Sequence, residues 1–162
     1  MINDIRIGFG YDVHPIKKGR KLFLGGIEIN SEFGLDGHSD ADVLLHSICD
    51  ALLGALALGD IGKHFPNTDE SIKNIDSKIL LKKTCEIVNN QGYKISNVDS
   101  TVVLERPKLL PYIDAMKNVI ASVMSINSNQ ISIKATTSEK LGFVGREEGA
   151  EAFCNVLLIK EN

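Results

Sequence analysis

Two histidines and two aspartates fall within ten residues in the stretch Gly37-His38-Ser39-Asp40-Ala41-Asp42-Val43-Leu44-Leu45-His46. A second pair, Asp12 and His14, lies upstream. Carboxylates and imidazoles are ligand types that zinc, iron and manganese sites share. Asp12 and His14 are two residues apart in an alternating stretch, so on a strand both side chains point the same way. His46 follows Asp42 by one helical turn, on the same face. Asp12, His14 and His46 therefore make a candidate three-ligand site, and three protein ligands leave one position open for substrate. The residue types do not choose between zinc, iron and manganese. Asp50, one turn beyond His46, is placed to accept a hydrogen bond from the second nitrogen of that ring. Ser39 is the expected helix N-cap, with Asp42 as the capping-box acid. His38 then sits just before a helix N-terminus, where backbone N–H groups favour an anion, and with Ser39 it is a candidate phosphate site. His64 has no acidic or histidine neighbour at ligand spacing and is expected to be a loop residue.

These side chains need elements to hold them. Ile5 to His14 alternates as a strand, with Ile5, Ile7, Phe9 and Tyr11 on one face and Gly8, Gly10, Asp12 and His14 on the other. Pro15 is expected to end it. Leu22 to Ile29 reads as a hairpin turned at Gly25-Gly26. An apolar helix is expected from Asp40 to Leu58, stopped by Gly59, and a polar loop without regular structure from Asp60 to Asp69. Helices over Ser77–Asn90 and Tyr112–Met124 follow, with strands over Tyr93–Glu105, Ile131–Thr137 and Phe153–Ile159. The pattern predicts an α+β protein: a two-layer α/β sandwich with a mixed β-sheet and helices on one face, in one domain over 1–162.

Composition bounds the function. In 162 residues, 43% are hydrophobic and 24% charged, ordinary for a globular chain with a core. A net charge of -3 argues against a nucleic-acid partner or a polybasic membrane surface. An anionic substrate would need local cations. Met1 to Gly10 has no basic start followed by an apolar core, so a cytoplasmic location is expected. Cys49, Cys85 and Cys154 are odd in number and widely spaced, and are expected to be buried thiols.

Five motifs in register then carry a resemblance. They are Tyr11-Asp12-Val13-His14, the stretch from Gly37 to His46, Ala57-Leu58-Gly59-Asp60-Ile61-Gly62-Lys63-His64-Phe65-Pro66, Asn97-Val98-Asp99, and Lys134-Ala135-Thr136-Thr137-Ser138-Glu139-Lys140-Leu141-Gly142-Phe143-Val144-Gly145-Arg146. Together, over essentially the whole chain, they resemble the 2-C-methyl-D-erythritol 2,4-cyclodiphosphate synthase family.

The resemblance implies a homotrimer with active sites between subunits. It implies Zn2+ on Asp12, His14 and His46, and a second divalent cation, Mg2+ or Mn2+, near Glu139. The implied substrate is 4-diphosphocytidyl-2-C-methyl-D-erythritol 2-phosphate, cyclised with release of CMP. His38 and Thr137 would stabilise the transition state. Asp12, Val13 and His14 would bind substrate, and His38 and Ser39 would contact the methylerythritol phosphate side. Asp60, Ile61, Gly62, Phe65, Pro66, Asn67, Thr68 and Asp69 would line the methylerythritol pocket. The cytidine side would be held by Leu104, Glu105, Arg106, Pro107, Lys108, Leu109 and Leu110, and by Ala135, Thr136, Thr137, Ser138 and Glu139. Lys108 is the fixed cation there and could pair with the α-phosphate. Phe143 and Arg146 match positions near the phosphate end and the trimer axis, where an isoprenoid diphosphate is a possible further ligand. Two departures stand out: Asn67, where several relatives carry Asp, and Glu105-Arg106, in place of small or neutral residues.

Overall fold

The computed structural model describes residues 4–66, 68 and 74–161, so the expectations for Asn67 and Asp69 lie outside the described residues. Five strands form one mixed sheet in the order β4-β1-β7-β5-β6, from β1 (Ile5–Lys18), β4 (Phe33–Leu35), β5 (Tyr93–Val103), β6 (Ile131–Thr136) and β7 (Gly149–Lys160). The β5–β6 pair is parallel and the other pairs are antiparallel. A separate hairpin joins β2 (Leu22–Leu24) to β3 (Ile27–Ile29). Its turn residues Gly25 and Gly26 have φ 59° and 79°, the left-handed geometry that a tight primed turn requires.

Pro15 does not end the first strand. It sits where β1 changes partner: Pro15 is the last residue paired with β7, and Ile16 is the first paired with β4. A residue without an N–H is tolerated at that junction. The short β4 was not anticipated. The last strand begins at Gly149 rather than Phe153, because Gly149 and Ala150 lack the bulk that marks a strand in sequence.

Among the described residues the α-helical segments are α1 (Val43–Ala55), α2 (Ile61–His64), α3 (Ser77–Asn90), α4 (Ile113–Met124) and α5 (Gly142–Gly145). α1 is shorter than expected at both ends. Its N-cap is Asp42, whose carboxylate accepts from Leu45 N at 3.0 Å, and Ala41 before it is left-handed with φ 58°. Ser39 is therefore not the cap, and His38 stands four residues ahead of the cap instead of next to it. The supposed loop after Gly59 contains the one-turn α2, capped by Asp60. A single 3-10 turn, Leu110–Tyr112, leads into α4.

The three long helices, α1, α3 and α4, pack in one core with the sheet. Gly8 and Gly10 let α1 lie against β1 backbone to backbone: a Cβ on either would fall 1.8 Å from Ala51 O or 1.9 Å from Ser47 O. The large residues of β1 go to the other face, where Ile7 is 74% and Phe9 60% exposed. The buried residues of β7 (Ala150, Ala152, Cys154, Val156 and Leu158) lie in the core with α1. All three cysteines are free and buried. Among the described residues no helix is long and apolar enough to cross a membrane.

Candidate metal centre and substrate cavities

Asp12 and His14 leave β1 on the side facing α1, and His46 leaves the first turn of α1 toward them. Asp12 Oδ2 lies 2.9 Å from His46 Nδ1 and 3.0 Å from His14 Nε2. The two ring nitrogens are 3.1 Å apart. Ligands about 2.0–2.1 Å from a tetrahedral zinc lie about 3.3 Å from one another, so this triangle is close to the size such an ion needs. The three side chains fit a divalent metal.

The far nitrogen of each ring is held. His14 Nδ1 donates to the Asp36 carbonyl at 3.0 Å, leaving Nε2 free as a ligand. His46 Nε2 meets Ser77 Oγ at 2.9 Å and Ser39 Oγ at 3.1 Å, leaving Nδ1 free. Ser77 in turn donates to Asp40. Asp50 is not the partner of His46; its carboxylate instead accepts from Ile61 N at 2.7 Å and anchors α2. Ser77 lies in another helix, distant in sequence, so spacing around His46 gave no signal for it. Burial pushes the Asp12 carboxyl up, but hydrogen bonds from His14 and His46 outweigh it and hold it down at about 2. Burial opposes charge on His46, and the bond to Asp12 and its charge overcome that, raising its pKa.

The triangle opens into a cavity of about 250 Å³ lined by Asp12, His14, His38, Ser39, His46, Ile61, Gly62 and Phe65, with Gly37, Ile75 and Leu80. His38 Nε2 is buried with no hydrogen-bond partner among the described residues. A buried donor left unpaired is costly, so a ligand acceptor is the natural complement. Val13 points to the opposite face of β1, and Asp60 caps α2 without lining the cavity. Pro66 and Thr68 are exposed. His64 ends α2 and contacts the Leu58 carbonyl at 3.1 Å.

A second cavity, of about 470 Å³, lies beside the C-terminal half of β6 and the segment that follows β5. Leu104, Glu105, Pro107, Lys108, Leu109 and Leu110 form one wall, and Ala135, Thr136 and Thr137 another. Ile113, Ile133 and Lys134 complete it and were not foreseen. Ser138 and Glu139 follow at its edge, with Thr137 Oγ1 donating to Glu139 at 2.8 Å. Arg106 turns away from the cavity to Glu147. Phe143 and Arg146 line neither cavity, and Arg146 pairs with Glu148.

The two cavities share no residue. Sheet register aligns Asp12 with Ala152, Ala152 with Val102, and Val102 with Ala135. Three strand spacings separate the metal ligands from β6, about 14 Å. Within one chain His38 lines one cavity and Thr137 the other.

Comparison with known proteins places this architecture. The YgbB family model matches residues 5–159. The chain is 58% identical to the 2-C-methyl-D-erythritol 2,4-cyclodiphosphate synthase of Bacteroides thetaiotaomicron, over 97% of this chain and 99% of that one. It is 56% identical to the synthase of the same name from Cytophaga hutchinsonii, over 96% and 98%. A solved structure of IspF from Plasmodium falciparum in complex with CDP superposes with a TM-score of 0.87 at 39% identity, covering 100% of both chains. With its metal-ligand triangle and motifs in one register, this chain belongs to the 2-C-methyl-D-erythritol 2,4-cyclodiphosphate synthase family.

Proposed function

We propose that the protein converts 4-diphosphocytidyl-2-C-methyl-D-erythritol 2-phosphate into 2-C-methyl-D-erythritol 2,4-cyclodiphosphate and CMP, in the non-mevalonate route to isoprenoid precursors. This makes it a phosphorus–oxygen lyase. A 2-phosphate oxygen attacks the β-phosphorus, and the bond from that phosphorus to the oxygen of the CMP phosphate breaks. The electron pair leaves with CMP. The observation that carries the reading is the Asp12–His14–His46 triangle beside a buried His38 nitrogen that has no partner among the described residues, in a chain of this family.

The reaction joins two anionic groups of one molecule, so positioning and charge neutralisation do most of the work. Asp12, His14 and His46 would hold Zn2+, and the hard carboxylate of Glu139 a second ion, Mg2+ or Mn2+. When bound, such ions withdraw charge from phosphate oxygens. His38 Nε2 donates to a phosphate oxygen as charge shifts. Thr137 Oγ1, which now donates to Glu139, is placed to do the same from the nucleotide side. Ile61, Gly62 and Phe65 receive the methylerythritol part. The cavity between Leu104–Leu110 and Ala135–Thr137 takes the cytidine, with Lys108 beside the α-phosphate.

The separated cavities and the exposed apolar face of β1 support a homotrimer in which one subunit supplies the metal triangle and its neighbour the nucleotide cavity. Phe143 and Arg146, outside both cavities, would then be open to a ligand between copies, such as an isoprenoid diphosphate.

Phosphorus NMR on the purified protein with the diphosphocytidyl substrate and Mg2+ tests the reading. CMP and a cyclic diphosphate are expected, lost on chelation and restored by Zn2+. Release of inorganic phosphate would make the protein a hydrolase. No turnover by a zinc-loaded protein would leave a binding scaffold and refute the synthase.

A further inference from the structure

Glu105 carries a nearly buried carboxylate, 4% exposed, at the rim of the nucleotide-side cavity. Its Oε1 accepts from the backbone N–H groups of Ser138 at 3.0 Å and Lys140 at 3.3 Å, and the Ser138 hydroxyl lies 3.1 Å away. Its Oε2 pairs with Lys140 Nζ at 3.0 Å. The residue between those two amides is Glu139. Glu139 and Lys140 are both left-handed, with φ 53° and 65°. Residues with a Cβ seldom adopt that conformation, and it persists where the surroundings over-determine it. Arg106 reaches the other end of the same segment. Its Nε donates to Glu147 at 2.6 Å, and its guanidinium lies 5.0 Å from the centroid of the Phe33 ring. Glu147 is the third left-handed non-glycine of the segment, with φ 58°. Between the two grips, Gly145 lies so close to the Lys140 backbone that a Cβ would fall 2.1 Å from the Lys140 carbonyl carbon.

We infer that Glu105 and Arg106 are positioning residues that clamp 138–147 from both ends, Glu105 fixing the turn that presents the Glu139 carboxylate and the Thr137 hydroxyl at the rim of the nucleotide cavity. One carboxylate thus serves two subsites: it is part of the cavity wall and it sets the conformation of the cation ligand. The inference rests on the proposed cation role of Glu139, so its test reads cation binding and amide exchange separately from turnover.

The test uses the zinc-loaded full chain with CDP as the nucleotide probe. Free Mn2+ is titrated by electron paramagnetic resonance, and amide hydrogen exchange is followed in parallel. Glu105→Ala is expected to weaken Mn2+ binding on the order of tenfold, as loss of a group that orients a metal ligand does. It should speed exchange at Ser138 and Lys140 while zinc content stays at one per chain. Glu105→Gln should restore both, because the two backbone N–H donors to Oε1 need only a carbonyl oxygen there. Arg106→Ala should speed exchange at Glu147 and Glu148 and leave the Ser138 amide protected. Unchanged Mn2+ binding and unchanged exchange in Glu105→Ala would overturn the clamp. So would a Glu105→Gln variant as impaired as Glu105→Ala, which would assign the effect to the charge pair with Lys140. Glu139→Ala is the control for the cation role. If it binds Mn2+ as well as the wild type while Glu105→Ala exchanges faster, the clamp stands and the cation role falls.

Discussion

Asp42 shows how one capping residue can be mistaken for another. Its carboxylate is fully buried and accepts from Gly25 N at 3.0 Å, Gly26 N at 2.7 Å and Leu45 N at 3.0 Å. It ties the hairpin turn to the start of α1, on which His46 sits. The sequence offers a serine at 39 and an aspartate at 42, and both can cap; only the left-handed Ala41 between them decides. The ligand set, by contrast, was legible, because two residues apart on a strand fixes a common face. The partners of its rings were not, since Asp36 and Ser77 arrive from distant segments. Burial pushes the Asp42 carboxyl up to about 6 from 3.8, with Asp40 adding to the rise, against the three N–H bonds. The folded state therefore binds this proton more tightly than the unfolded chain. The resulting stability is complete below pH 4 and lost as pH rises to about 6, by up to about 3 kcal/mol. Asp42→Asn abolishes that titration while losing an acceptor at every pH. Urea unfolding of the metal-free protein should show the variant gaining on the wild type between pH 4 and pH 7. A constant difference would mean that the three N–H groups keep Asp42 ionised throughout. Nearby, Gly37 leaves no room beside His14: a Cβ would fall 2.8 Å from its Cε1. Gly37→Ala should displace that ring and lower zinc affinity about 10–100-fold, read by competition with a chelating dye.

At the scale of elements, β1 and α1 together make the site, and their contact depends on absent side chains. Alternation in β1 was readable, as were the hairpin and the three longer helices. Alternation alone does not say which face is buried. Here the glycine face is inward and the isoleucine face outward, the reverse of what bulk alone favours. The cause is the backbone approach of α1 through Ser47, Ala51 and Ala55, which admits no Cβ at Gly8 or Gly10. Gly10→Ala would set a methyl 1.9 Å from Ser47 O and 2.6 Å from Ala51 N, neither of which is a flexible group. The helix must shift, at a cost expected to exceed about 3 kcal/mol, the upper range for overpacked cores. Gly54 is the contrasting case in the same helix: the nearest atom to its Cβ position is Phe9 O at 3.7 Å. Gly54→Ala should be neutral or stabilising by up to about 1 kcal/mol, since alanine loses less backbone entropy in a helix. Chemical unfolding of the two variants measures the contrast; equal effects would remove close packing as the reason for the glycines.

For the molecule as a whole, one chain carries two separate cavities. Asp12 and His14 of the triangle are on β1 and the larger cavity lies beside β6, about 14 Å across the sheet by strand spacing. On the uncovered face Ile5, Ile7, Phe9 and Tyr11 stand exposed in a row, with the Phe153 ring tilted against Tyr11 at a centroid distance of 5.1 Å. An apolar strand face of that extent calls for a partner. Ile7→Glu should place a charge there without touching either cavity. Sedimentation velocity should then report monomers, with the zinc triangle still loaded and turnover lost. A trimeric, fully active Ile7→Glu protein would remove that face from the interface. Whether the site is shared between copies is decided by complementation. His46→Ala lacks a metal ligand and Glu139→Ala lacks the proposed second-cation ligand, so each alone should be inactive. In trimers assembled from equal amounts of both, a shared site is intact wherever the Glu139→Ala chain supplies the triangle and the His46→Ala chain supplies Glu139. Random assortment makes that about a quarter of all sites, so about a quarter of wild-type turnover should return. A site built within one chain predicts no recovery at any mixing ratio, because every chain then carries a defect in its own site.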